Sequence, residues 1–114
     1  MKSIADLNLK KIQDKIDAMH TGNKTAILEG AMSQNPLLNI NAMIAGAKYQ
    51  IKDKDFIEAL ERLLRLSDLS VLNVRVSSVA AAVLDYFDIV SYEGSDVWIK
   101  DCITALKQQD GKLF

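Results

Sequence analysis

Apolar residues recur every three or four positions along most of the chain, which is the spacing of one face of an α-helix. The stripe formed by Leu9, Ile12, Ile16 and Met19 is a clear example. Asn35 followed by Pro36 is a typical helix start, because proline at the first helical position loses no hydrogen bond. The pattern predicts six helices, over about residues 4–19, 24–33, 36–51, 54–65, 72–87 and 96–109.

The same periodicity predicts the core. The helix over 54–65 is the most regular, with charged residues opposite its leucines, whereas the segment 72–87 is apolar on nearly every side. A helix of the second kind packs against more than one neighbour. The expected core residues are Ile12, Ile16, Ile27, Leu28, Ile40, Ile44, Phe56, Leu60, Leu63, Leu64, Val76, Val79, Val83, Phe87, Ile103 and Leu106.

One segment allows a second interpretation. Residues 89–92 and 97–100 alternate in a way that would also suit a β-hairpin across Glu93-Gly94-Ser95-Asp96. A winged helix-turn-helix DNA-binding protein would have such a hairpin. However, the acidic residues of this segment would repel phosphate, and only Lys100 would attract it. The pattern leaves both a loop with a helix and a hairpin open.

Length and charge limit the possible functions. The chain has 114 residues, which suits one domain over 1–114. Its 14 basic and 15 acidic residues give a net charge of -1, which argues against a nucleic-acid partner bound through a broad basic surface. The longest apolar run, Val79–Leu84, is far shorter than the ~18 residues of a membrane span. We therefore expect a cytoplasmic protein with no membrane partner.

The residues that usually carry chemistry are scarce. His20 is the only histidine and lies at a predicted helix end, so no second histidine is available for a metal site. Cys102 is the only cysteine and lies in an apolar stripe, where a buried hydrophobic role is typical. We expect no catalytic, cofactor-binding or metal-binding residues and therefore no enzyme.

The chain also contains an internal similarity. Leu38-Asn39-Ile40-Asn41 recurs as Leu72-Asn73-Val74-Arg75, and each copy follows an amphipathic helix and precedes a run of small residues. Repeats of two helices are typical of α-solenoids. Leu60–Asp68, followed by Asn73-Val74-Arg75 and an alanine-rich stretch, resembles a HEAT repeat, although Asn41 stands where that family favours arginine.

The resemblance implies a fold and a class of function. It implies an all-α fold of three antiparallel helix pairs, stacked as a short HEAT-like solenoid with residues 24–33, 54–65 and 96–109 on its inner face. Solenoids bind proteins along extended surfaces. Size, mild acidity and this architecture suggest a small immunity protein that sequesters a toxin, for instance a basic nuclease. A winged-helix regulator and a scaffold subunit of a larger enzyme are the alternatives.

The predicted binding surface combines charges on this inner face with aromatic residues near the segment 88–95, which departs from the repeat. Exposed tyrosine, tryptophan and arginine are common among residues that dominate interfaces. Acidic side chains would also speed association with a basic partner. The candidate partner-binding residues are Glu58, Glu61, Arg62, Tyr92, Glu93, Asp96, Trp98, Lys100 and Asp101.

Overall fold

The computed structural model describes residues 4–66, 69–71 and 74–108, which form helices and one very short strand pair. The predicted all-α class is confirmed in outline. The elements within the described residues are α1 (Ile4–His20), α2 (Lys24–Met32), α3 (Pro36–Lys48), α4 (Lys54–Leu64), β1 (Ser70–Val71), β2 (Val74–Arg75), α5 (Val76–Tyr86) and α6 (Val97–Gln108).

Side-chain caps begin the second and third helices where the sequence predicts. The Asn23 side chain accepts a hydrogen bond from the Ala26 amide at 3.1 Å, and the Asn35 side chain accepts one from the Leu37 amide at 2.9 Å. Between α1 and α2 the backbone of Gly22 has a φ of +86°, a conformation that favours glycine. These local signals act within a few residues, so they can be read from the sequence.

The helices contact one another in a regular order. α2 packs on α3, α4 packs on α5, and α6 packs on α5. In addition, α1, α3 and α5 contact each other in succession, while α2 contacts α4. The resulting body is elongated, with extents of 51 × 29 × 23 Å. α5 therefore has neighbours on several sides, as its continuous apolar surface predicts.

Most of the predicted core residues are buried or packed against the core, but α3 is rotated relative to the prediction. Ile44 is 39% exposed, and Ile40 is only partly buried. The buried side of α3 instead carries Met43, Leu38 and a set of small residues. Small side chains allow neighbouring helices to approach closely, so packing favours this face over the isoleucine stripe. The small residues are Ala42, Ala45, Gly46 and Ala47.

A buried asparagine fastens α3 to the end of α2. Asn39 is fully buried, and its Nδ2 donates hydrogen bonds to the carbonyl oxygens of Gly30 at 2.9 Å and Ser33 at 2.8 Å. Carbonyl groups at a helix end lack partners within the helix. The side chain therefore satisfies part of the C-terminus of α2 and fixes the corner between the two helices.

The hairpin interpretation of residues 88–100 is wrong. Val97–Lys100 forms the first turn of α6, and no strand is present at 89–92. A much shorter antiparallel pair occurs instead upstream, where Ser70 pairs with Arg75 and Val71 with Val74. The fifth helix consequently begins at Val76, later than its apolar pattern suggests.

The two copies of the internal similarity have different secondary structure in their described parts. Residues 38–41 lie inside α3, whereas Val74 and Arg75 form β2, before α5 begins. Ser67, Asp68, Leu72 and Asn73 lie outside the described residues. Sequence similarity therefore does not carry over into equivalent local structure at this motif.

Candidate protein-binding surface

An apolar groove runs between α3 and α6 and has a volume of about 330 Å³. We call it the α3–α6 groove. Its lining contains apolar side chains and one thiol, with no charged residue among them. The lining residues are Leu37, Ile40, Ile44, Val71, Val74, Val79, Trp98 and Cys102.

The groove exists because α3 buries its small-residue side. Leu37 and Ile44 are left 38% and 39% exposed, although both belong to the apolar stripe. Val71 and Val74 are cross-strand partners and therefore project to the same side of the strand pair. Both line the groove together with the α5 residue Val79.

α6 supplies the groove's aromatic residue. Trp98 is 44% exposed, and Cys102 lies one helical turn farther along. Burial raises the pKa of the Cys102 thiol above its ordinary value, so this side chain is protonated at neutral pH. The Asp96 carboxylate accepts a hydrogen bond from the Trp98 amide at 2.9 Å. Asp96 thus caps α6 and fixes the position at which Trp98 enters the groove.

A second concavity, which we call the loop cavity, lies where α4, α5 and α6 meet the segment 90–93. Its volume is about 280 Å³. Apolar residues form much of its lining, and serines, Tyr92 and Glu93 complete it. The lining residues are Leu64, Ser77, Ser78, Ala81, Leu84, Val90, Ser91, Tyr92, Glu93 and Ile99.

Hydrogen bonds hold the wall of the loop cavity in place. The Tyr92 amide donates to the Asp85 carboxylate at 2.7 Å, and the Tyr92 hydroxyl accepts from the Asp96 amide at 3.0 Å. Lys107 forms an ion pair of 3.5 Å with the same Asp85 carboxylate. A Cβ atom at Gly94 would collide with the hydroxyl end of the Tyr92 side chain, so a larger residue there would displace this tyrosine.

The third concavity lies against α2 and α4 and has a volume of about 310 Å³. Met32, Asp55, Glu58, Ala59 and Arg62 line it. The Arg62 guanidinium donates a hydrogen bond to the Ala31 carbonyl oxygen at 3.1 Å. Arg62 therefore has a structural contact at the end of α2, where unpaired carbonyl groups attract a cation.

The predicted partner-binding residues are distributed over these regions and are not gathered in one lining. Glu58 and Arg62 belong to the third concavity, Tyr92 and Glu93 to the loop cavity, and Trp98 to the α3–α6 groove. Asp96 caps α6. The remaining three, Glu61, Lys100 and Asp101, are exposed and outside these linings.

Sequence reasoning missed most of the groove, including Leu37, Val71 and Val74, and it assigned Ile44 to the core. The run of small residues in α3 was the sequence signal that could have indicated which face of this helix is buried. Since a run of small residues suits close helix contact, the isoleucine stripe beside it had to face elsewhere.

Other chemical features of the described residues are few. His20 ends α1, and its Nε2 lies 2.9 Å from the Asn41 Oδ1 atom, which links α1 to α3. In the part of the chain that the structure describes, no three histidine, cysteine or acidic side chains are grouped so that they could hold a metal ion. Among the described helices, none combines the length and apolar character needed to cross a membrane.

Comparison of the chain with protein-family models, with curated proteins and with solved structures finds no match.

Proposed function

We propose that this protein is a non-enzymatic protein-binding module and that the α3–α6 groove is its main docking surface. The observation that carries the proposal is an apolar groove with exposed Leu37, Ile44 and Trp98 in its lining. Covering these side chains would remove apolar surface from water, which favours association by about 25 cal/mol per Å². A contiguous apolar patch of this kind is typical of an interaction site.

The shape of the groove favours one kind of occupant. Residues of α3, α5, α6 and the strand pair line it, and the lining offers no charged group to pair with a polar ligand. An amphipathic helix of a partner can insert apolar side chains, spaced three and four residues apart, into such a groove. Trp98 would be the dominant contact, because half-exposed tryptophans at grooves often contribute most to binding. The proposed ligand is therefore a partner helix.

The architecture supports binding along a face. In a short HEAT-like solenoid the helices form two layers. The contacts of α1 with α3 and of α3 with α5 suit one layer, and the contact of α2 with α4 suits the other. In that arrangement α2 pairs with α3 and α4 with α5. These pairs are offset by one helix from the pairs that the sequence resemblance implies.

The partner that we propose is a protein toxin, held inactive in the cytoplasm by this small immunity protein. Support comes from size, the net charge of -1 and the proposed solenoid architecture, so the argument is one of analogy. A basic nuclease would suit the acidic residues Glu58 and Glu93, which line two separate concavities. The regulator alternative depended on a hairpin at 88–100, and α6 begins at Val97, where the second strand of that hairpin was expected.

A matched pair of substitutions tests the docking surface. Ile44 in the groove and Ile89 outside its lining are 39% and 42% exposed, so Ile44→Asp and Ile89→Asp introduce the same change at similar exposure. Circular dichroism first establishes that both variants fold. Wild type and Ile89→Asp should then capture the same protein from the native host, and Ile44→Asp should not.

The captured protein, once purified, decides the rest of the proposal. Trp98 is the only tryptophan, so its fluorescence reports groove occupancy in titrations with a tryptophan-free peptide from the partner. Expression of the partner should arrest growth, and coexpressed wild type should restore it. Equal capture of the partner by both variants would exclude the groove as the docking surface. A partner that is harmless when expressed alone would exclude the immunity function.

A further inference from the structure

The loop cavity combines apolar and polar groups in its lining and is separate from the α3–α6 groove. Ser78 is only 9% exposed and lies in the cavity lining. Its hydroxyl is one of the polar groups that the lining offers. A hydroxyl in such a lining can donate a hydrogen bond to a ligand or accept one from it.

The other polar groups of the cavity can all accept hydrogen bonds. Ser77, Ser91 and the Glu93 carboxylate lie in the same lining, which contains no lysine or arginine. A carboxylate accepts hydrogen bonds only, and serine hydroxyls can accept as well as donate. The charge of the lining is therefore negative, and its chemistry favours a cationic ligand with several donors.

The remaining surface of the cavity is apolar. Leu64, Leu84 and Ile99 line it and would contact a hydrocarbon chain. Tyr92 adds an aromatic ring, whose face attracts a cation. An arginine side chain combines an apolar stem with a planar group that carries five donors. The volume of about 280 Å³ can hold one long side chain, since roughly 150 Å³ accommodates a benzene molecule.

We infer that the loop cavity is a specificity pocket for one arginine side chain of the protein partner. The inference rests on the proposed function, because it assigns the partner a second contact beside the groove. The pocket is preformed: the Asp85–Tyr92 and Tyr92–Asp96 hydrogen bonds hold its wall without a ligand. Arginine enters with its stem against the apolar lining and its guanidinium toward Glu93 and the serines.

A titration with a small probe tests the pocket without the partner. The full chain, labelled with ¹⁵N, is titrated with N-acetyl-arginine-methylamide while amide shifts are followed by NMR. Saturable shifts should be confined to the lining, with Ser78, Ser91 and Glu93 among them. The citrulline analogue has nearly the same shape without the charge, and we expect it to bind at least about fivefold more weakly, the ratio that ~1 kcal/mol produces.

Variants identify the groups responsible. Glu93→Gln keeps the shape of the side chain but removes its charge, and it should weaken arginine binding about two- to fivefold, as expected for an exposed ion pair. Glu61→Gln, outside the lining, is the matched control and should bind like wild type. Ser78→Ala should also weaken binding, and its unchanged circular dichroism would show that the fold is intact.

Several results would overturn the inference. They are an absence of saturable shifts at the lining, equal binding of arginine and citrulline, or equal effects of Glu93→Gln and Glu61→Gln. Stronger binding of N-acetyl-lysine-methylamide than of the arginine compound would exclude arginine as the occupant. None of these results concerns Ile44, so failure of the pocket and failure of the groove are distinguished by separate experiments.

Discussion

Gly46 provides a sensitive test of the packing between α3 and α4. In an exposed helix interior, glycine-to-alanine substitution stabilises a protein by about 1 kcal/mol, because alanine has the higher helix propensity. At Gly46 the added Cβ atom would instead lie 2.6 Å from the Phe56 Cε2 atom and closer still to Cζ. Phe56 is fully buried, so its ring has no solvent-filled space into which it can move.

The expected change in the free energy of unfolding follows from these opposing effects. Overfilling a packed core is unfavourable by about 1–3 kcal/mol, and a collision with a rigid ring belongs in the upper part of this range. After subtraction of the gain of about 1 kcal/mol in helix propensity, Gly46→Ala should lower the free energy of unfolding by about 1–2 kcal/mol. For a domain of this size the melting temperature should fall by about 4–8 °C.

Gly30→Ala is the matched control, since Gly30 also lies in a helix interior. There the nearest atom is the terminal methyl group of Met19, and the Ala42 Cβ atom is 3.0 Å away. A methionine end can rotate away more easily than an aromatic ring. We therefore expect Gly30→Ala to change stability by less than about 1 kcal/mol, and less than Gly46→Ala does.

Urea unfolding monitored by circular dichroism measures these differences in the free energy of unfolding, provided that the m-value is the same for all variants. A double-mutant cycle attributes the loss to the ring: Phe56→Leu should reduce the effect of Gly46→Ala by at least about 1 kcal/mol. An increase in stability on Gly46→Ala would refute the reasoning, because helix propensity alone would then decide the outcome. Equal effects of Gly46→Ala with Phe56 and with leucine at that position would exclude the ring as the cause.

The remaining predictions concern the core, a helix cap and the thiol. Leu60→Ala should lower the free energy of unfolding by about 2–5 kcal/mol, because Leu60 is fully buried. Ile44→Ala should lower it by less, because Ile44 is partly exposed in the groove, and urea titration of both variants compares the two losses. Asp96→Ala should lower it by about 0.5–2 kcal/mol through loss of the α6 cap, and Glu93→Ala should have no comparable effect on thermal melting. Because burial raises the Cys102 pKa, Ellman's reagent should react more slowly with the folded than with the unfolded protein near pH 8. The unfolded thiol loses its proton at a lower pH than the folded one, so the free energy of unfolding should fall as the pH rises above the ordinary thiol pKa. A Cys102→Ala variant should lack this fall, and an equal fall in both proteins would exclude the thiol as its source.

The sequence by itself determined the helical class and the starts of most helices. Asn23, Asn35 and Pro36 act on backbone groups within a few residues, so their effect does not depend on distant parts of the chain. The regular stripe of α4 likewise predicts burial of Leu60 and Leu63, because no other face of that helix is apolar enough to compete.

Only the tertiary structure decided which face of α3 is buried. That helix offers two apolar faces, one of small residues and one containing Leu37, Ile40 and Ile44. Hydrophobic periodicity favours the larger side chains, but close helix packing favours the smaller ones, and the balance depends on neighbours that are distant in the sequence. The α3–α6 groove results from this choice, and its other wall belongs to α6, more than fifty residues away along the chain.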